Sequence, residues 1–322
     1  MRLLIDTDPG IDDALALVLA FSVPEASIDA ITTVAGNVDV DRATTNALRI
    51  LAAADPVSRP PVARGAGSPI SGPLITAPHV HGDDGLGNLD QFLEPDGRPR
   101  YPKVDHTLEM RDGADLILEV AARLGPELVL VALGPLTNLA LALARDRETF
   151  GRIGRIVVMG GAIAVPGNVT AGAEFNFYVD PEAAAAVFEA GLPIDLVPLD
   201  VTTQVVLSQA LLARRLAECS HPVGRLVADF TLHGFAADHR SEGIFLHDPL
   251  AVGVAIDPSL VGFEPLYVEV ECEGRVTRGL SLADRRRLPS ERKRPPNCRV
   301  ATTVDAPRFL RMFLDGLCPA SR

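Results

Sequence analysis

At 322 residues, 47% of them apolar and 22% charged, the chain can bury the core of one large α/β domain or two small ones. Its formal charge of −12 argues against a nucleic-acid partner, whose phosphates demand a basic face. Only two of the thirty basic residues are lysines, Lys103 and Lys293, so chemistry that needs a lysine has little to draw on.

In chain order, Arg2 to Ile5 is a short apolar run, and Ala14 to Phe21 reads as a buried helix. Between them Pro9-Gly10 is turn chemistry, giving a strand, a sharp turn and a helix. Ser27 to Ala35 is β-branched and apolar, a second strand, followed by a helix from about Val40 to Ala53. Residues 55–106 form a long connection rich in Pro, Gly and polar groups, a length that usually carries function. Helices at 112–124, 136–144 and 181–190 alternate with strands at 128–133, 155–159 and 194–199. Such alternation specifies an open, mostly parallel, Rossmann-like α/β sheet with helices on both faces. Residues 208–256 read as mostly helical with a break near 241–243. Stretches 266–272 and 275–282 suggest a small antiparallel extension near the sheet edge. Arg285 to Arg294 reads as a solvated loop, and a strand at 299–304 leads into a last helix at 308–317. No repeat or linker divides the chain, so residues 1–322 are expected to be one domain.

No run is apolar enough for a membrane span or a secretory leader, so a cytoplasmic protein is expected. The cysteines at 219, 272, 298 and 318 are widely spaced and form no Cys-x-x-Cys pair, which favours four reduced thiols over zinc or a redox couple.

The residues with chemistry gather at predicted strand ends, where open α/β sheets place their ligands. Asp6, Asp8, Asp12 and Asp13 fall within eight residues at the end of the first strand. Helix capping accounts for one or two aspartates there, but four clustered carboxylates need a partner, and hard oxygen ligands point to Ca²⁺ or Mg²⁺. Asn37 ends the second strand, Leu133-Gly-Pro-Leu-Thr-Asn138 follows another, and Met159-Gly-Gly the next. Glu174 and Asn176 alternate along what reads as an extended segment, sharing a face. His81 and Asp83-Asp84 lie in the long connection, and His247-Asp248-Pro249 opens a helix. Turns, caps and exposed loops explain each alone; delivery of acids, amides and two histidines to one rim is what those roles leave unexplained.

These motifs resemble the inosine–uridine preferring nucleoside hydrolase family. The resemblance rests on Asp-x-Asp-Pro-Gly-x-Asp-Asp-Ala at 6–14, Thr-Thr-Val-Ala-Gly-Asn at 32–37 and His-Gly-x-x-Gly-Leu-Gly at 81–87. Gly-Pro-Leu-Thr-Asn at 134–138, Ala-Glu-Phe-Asn at 173–176 and His-Asp-Pro-Leu-Ala at 247–251 extend it along the chain. It implies a calcium enzyme that hydrolyses the N-glycosidic bond of ribonucleosides to free base and ribose, assembled as a homodimer or homotetramer. It also implies that Asp8, Asp13, Asp248 and the Leu133 carbonyl hold Ca²⁺, with the ribose hydroxyls and one water completing the shell. Asp12 would take the proton from that water, and His247 would protonate the departing base. Asn37, Asn168, Glu174 and Asn176 would grip the ribose, with Met159 beneath it and His81 near the base. The base itself would meet residues from Phe230 to Arg240, among them Phe235, His239 and Arg240. The absence of tryptophan argues against an indole sandwich around a purine. Two other readings stand beside this one: a catalytically silent nucleoside-binding protein on the same fold, and a Mg²⁺ phosphohydrolase. The second is weakened because neither lysine follows a predicted strand.

Overall fold

The structure is a computed structural model and describes residues 1–102, 108–237, 243–286 and 294–318. Among the described residues twelve strands are formed. β1 (Arg2–Thr7), β2 (Ser27–Thr33), β3 (Val62–Arg64), β4 (Leu128–Ala132), β5 (Arg155–Met159) and β6 (Ile194–Val197) are parallel neighbours in one sheet. β7 (Val206–Leu207) and β8 (Ile244–Phe245) make a short antiparallel pair, as do β10 (Val268–Val270) and β11 (Ser281–Ala283). β9 (Val261–Leu266) and β12 (Cys298–Val304) complete the main sheet, in the order β3-β2-β1-β4-β5-β6-β12-β9. All its strands are parallel except β9, which runs antiparallel to β12 at the edge.

The alternation of side chains along each strand divides the core in two. Leu3 and Ile5 of β1, Val131 of β4 and Val157 of β5 pack with the helices Ile11–Ser22, His247–Ile256 and Ala306–Leu317. Leu4, Leu130, Ile156 and Val158 face the other way, onto the helices Gly113–Leu124, Thr137–Arg145 and Pro181–Phe188. Near-continuous apolar strands are what burial on both faces requires. The sheet grows from β1 in two directions, to β2 on one side and β4 on the other. Chain connections diverge there and leave a crevice beyond the carboxyl ends of the strands.

The small antiparallel extension is present, one strand was not foreseen, and two expectations need correction. The antiparallel extension is β10 with β11, but the antiparallel strand on the main sheet is β9, which the sequence reading left without structure. Pro265 and Gly262 disguise it; at an edge, a proline removes no ladder bond that a neighbour needs. Glu174 and Asn176 do not lie on an extended segment: Glu174 caps the short helix Phe175–Val179, accepting from the Asn176 and Phe177 N–H groups. Finally, Cys219 and Cys318 form a disulfide with Cα atoms 5.4 Å apart, leaving only Cys272 and Cys298 as thiols. The sequence separation of 99 residues carries no pairing signal, and the contact forms because the C-terminal ends of the Gln209–Ala217 and Ala306–Leu317 helices meet. Arg215 fastens the same junction, donating to the carbonyl oxygens of Leu314 (2.6 Å) and Cys318 (3.1 Å).

Candidate active site

Asp8 follows β1 directly, and Asp12 and Asp13 stand in the first turn of the Ile11–Ser22 helix. Asp13 has the capping role that a helix start predicts: its carboxylate accepts from the Gly10 N–H (3.0 Å), the Thr7 hydroxyl (2.5 Å), the Asp8 N–H (3.2 Å) and the Asn37 amide (3.0 Å). Asp8 is fully buried and accepts from the Asn37 N–H at 2.7 Å through one oxygen. Its other oxygen has no partner, and neither has Oδ1 of Asp12. Gly36 and Gly134, at the ends of β2 and β4, pass so close that a Cβ on either would collide with the Asp8 carboxylate. Asp248 arrives from the opposite side in the first turn of the His247–Ile256 helix, 3% exposed. Carboxylate oxygens of Asp12, Asp13 and Asp248 lie within 4.8 Å of one another.

Burial and neighbouring carboxylates push Asp8, Asp12 and Asp248 upward. Asp8 and Asp248 are raised well above the carboxylate range, first by desolvation and then by neighbouring aspartates. Asp12 is raised to about 7 for the same two reasons. Asp6, behind them, is raised to about 7 by burial despite bonds from Thr32 and Asn138. Among the described residues no arginine or lysine pairs with Asp8, Asp12, Asp13 or Asp248, and the one cationic candidate, His81, approaches Asp12 only at 4.0 Å. Buried carboxylates without a counter-charge are costly, and unpaired oxygen donors facing one another suit a hard cation. The donor set therefore fits a metal ion.

Leu133 follows β4 directly, and its carbonyl accepts from the Asn176 amide at 2.6 Å, leaving a second lone pair. Asn176 also donates to the Met159 carbonyl (3.2 Å), so it braces the ends of β4 and β5. Glu174, 1% exposed, is occupied by N–H groups of Gly161, Asn176 and Phe177 and is raised by burial. Asn168 is exposed on the loop after β5, its carbonyl held by the Phe175 N–H at 3.0 Å. His81 accepts from the Ile11 N–H through Nδ1 (3.1 Å), and burial lowers it to about 4. His247 is likewise lowered to about 4 by burial and then by His81, and its Nδ1 lies 2.7 Å from Oγ1 of Thr202.

One cleft of about 890 Å³ is lined by Asp12, Asn37, His81, Leu133, Met159, Asn168, Glu174, Asn176, His247 and Asp248. Asp8 and Asp13 do not line it but stand against Asn37, which does. Of the expected site residues, His239 and Arg240 lie outside the described residues, and Phe235 packs half-buried against the core and does not line this cleft, where Gly234 stands instead. Ile75, Thr76, His79 and Val80 from the long connection, and Ile244 and Phe245 from β8, supply further, mostly apolar lining that the sequence does not announce. Thr202 was missed too, although it stands just past β6 on the rim where the other residues were found. Asp83 and Asp84 keep the turn role expected of them: Asp84 accepts from the N–H groups of Leu86, Asn88 and Asp90.

A doubly wound sheet with an acidic, cation-fitting cleft at its switch point defines a metal-dependent α/β enzyme. The match to known proteins narrows this. Residues 3–311 match the inosine–uridine preferring nucleoside hydrolase family, and the chain belongs to it. Members are ribonucleoside hydrolases, which act on N-glycosyl bonds. The chain is 38% identical to the pyrimidine-specific ribonucleoside hydrolase RihA of Shewanella sp. (strain ANA-3), over 98% of this chain and 95% of that one. It is 37% identical to the non-specific ribonucleoside hydrolase RihC of Salmonella agona (strain SL483), over 96% and 95%. A solved structure, the purine-preferring ribonucleoside hydrolase from Gardnerella vaginalis, superposes with a TM-score of 0.89 at 33% identity, covering 98% of both chains. Among the described residues no helix is long and apolar enough to cross a membrane.

Proposed function

We propose that this enzyme cleaves ribonucleosides to free base and ribose with the help of calcium, held by Asp8, Asp13, Asp248 and the Leu133 carbonyl. The observation that carries the reading is the buried carboxylate cluster with unpartnered oxygens on Asp8 and Asp12. Calcium is favoured over magnesium because a cage of protein oxygens suits its larger, looser shell. When bound, the ion supplies the positive charge that the four acids lack and makes a nearby water easier to deprotonate.

The chain's own residues do the rest. Asp12, whose Oδ1 is free and faces the cleft, takes the proton from the attacking water. Asn37, Asn168, Glu174 and Asn176 hold the ribose, and Met159 closes the pocket beneath it. As the C1′–N bond lengthens the sugar acquires oxocarbenium character, and the surrounding carboxylates stabilise its growing positive charge. His247 is the donor for the departing base, and His81 lines the pocket nearby. The names of the relatives point to pyrimidine, mixed and purine preferences, so uridine and inosine both belong in the first assay.

The test is release of free ribose from a panel of ribonucleosides, by protein stripped with a chelator and then reloaded. Ribose should appear with calcium, vanish on chelation and return on reloading. Equal recovery with magnesium alone would overturn the calcium assignment. Binding of nucleosides without ribose release would mean a silent binding protein.

A further inference from the structure

Beyond β6 the chain makes one short helical turn, Leu199–Thr202, and Thr202 ends it fully buried. Its hydroxyl lies 2.7 Å from Nδ1 of His247 and makes no other hydrogen bond among the described residues. The pair is held in register from both sides. The Leu246 N–H donates to the Val205 carbonyl (3.0 Å), Val206 pairs with Phe245, and the Phe245 ring lies tilted over the imidazole at 5.6 Å.

A hydroxyl carries one hydrogen that must be satisfied when no water can reach it. If the Nδ1–H of His247 donated to Oγ1, the hydroxyl hydrogen of Thr202 would be left unpaired in a site with no exposure. That loss costs about 1–3 kcal/mol, whereas donation from Oγ1 to Nδ1 leaves nothing unpaired. The neutral ring must then carry its hydrogen on Nε2, the nitrogen left for the cleft that His247 lines.

We propose that Thr202 is a positioning residue, donating to Nδ1 of His247 so that Nε2–H is presented to the departing base. The inference rests on the role given to His247 above and refines it. In the bond-breaking step the C1′–N electron pair leaves with the base, and the Nε2–H hydrogen bond strengthens as charge grows there. This replaces the full protonation expected of His247: no proton changes owner in that step, and the free base takes its proton from water afterwards. A neutral imidazole used as a hydrogen-bond donor has precedent in enzymes that polarise carbonyl groups.

The experiment compares Thr202→Val, Thr202→Ser and His247→Ala in the calcium-loaded protein, on uridine and on 4-nitrophenyl riboside, whose leaving group needs no donor. Thr202→Val keeps the shape and loses the hydroxyl. It should lower kcat on uridine by about 10- to 100-fold, less than the 10²–10³ typical of deleting a donor outright. KM should stay nearly constant, the nitrophenyl riboside should be spared, and Thr202→Ser should restore turnover. Nitrogen-15 spectra of the wild-type protein, with His247 assigned by its absence in His247→Ala, should show hydrogen on Nε2 and none on Nδ1. Equal losses on both substrates, or hydrogen on Nδ1, would overturn the inference. If His247→Ala is selective for uridine and Thr202→Val is not, the role of Thr202 falls and that of His247 stands. If His247→Ala shows no selectivity, both fall.

Discussion

At the scale of single residues, the four aspartates of the first motif separate into distinct tasks once their partners are counted. Asp6 is a brace, accepting from Thr32 (2.5 Å) and Asn138 (2.7 Å), while Asp13 caps its helix and still faces the cluster. Asp12 alone both faces the cleft and keeps an unpartnered oxygen. Asp12→Asn should therefore bind calcium normally and lose about 10²–10⁴ in kcat, the usual cost of removing a general base. Calcium binding by calorimetry and initial rates by ribose release would check it; loss of calcium in this variant would reassign Asp12 as a ligand. Asp248 makes the opposite prediction. Burial and then Asp12, Asp13 and Asp8 raise its carboxyl, so without metal its charged form is disfavoured and folding bears the cost of neutralising it. Asp248→Asn should melt higher than wild type when metal-free, because that cost is removed. It should lose the gain in stability from calcium, about 2.7 kcal/mol at a hundredfold excess over Kd in the wild type. A melting temperature that still rises with calcium in Asp248→Asn would contradict the assignment. The clustering of these acids was legible in the sequence, but their division of labour was not. Which oxygen is spent on a cap and which is left free depends on contacts with Thr7, Asn37 and Thr32 across other strands.

At the scale of elements, the strands buried on both faces were easy to read because apolar runs bounded by turns leave little choice. β4 and β5 were placed to within a residue of their observed ends. What escaped the reading were elements defined by their neighbours. β3 is three residues long and exists through pairing with β2, and β9 tolerates Pro265 because only β12 borders it. Glu174 looked like part of a strand because the cue of alternation also fits a helix cap followed by one turn. The disulfide belongs at this scale too. It closes a loop of 99 residues between the Gln209–Ala217 helix and the last helix; that loop carries His247 and Asp248, but neither cysteine lines the cleft. Cys318→Ser should lower the denaturant midpoint by an amount equivalent to about 2–5 kcal/mol while kcat at 25 °C stays unchanged. Equal midpoints with and without reductant in the wild-type protein would show that the bond contributes nothing.

At the scale of the whole molecule, the order of the sheet explains why residues as far apart as Asp8 and Asp248 meet. β1 lies between β2 and β4, and the carboxyl ends of all three deliver Asp8, Asn37 and Leu133 to one floor. The His247–Ile256 helix packs against the first helix and brings Asp248 over that floor. The alternation of elements foretold such a rim, though neither strand order nor the apolar end at Ile75 to Val80 and Phe245 could be read from it. The result is a cleft with two unlike ends. One is rich in acceptors, with unpartnered oxygens on Asp8 and Asp12; the other is apolar. Such acceptors suit a cation and vicinal hydroxyls together, so the proposed function puts the sugar there and the base against the apolar residues. The most direct measurement is kcat/KM for uridine against 2′-deoxyuridine on calcium-loaded protein that demonstrably cleaves uridine. Sites built to bond a hydroxyl reject analogues lacking it by about 10⁴–10⁵, whereas losing one ordinary hydrogen bond costs under tenfold. The account predicts the larger discrimination. Comparable values for the two substrates would contradict the placement of ribose at the acidic end.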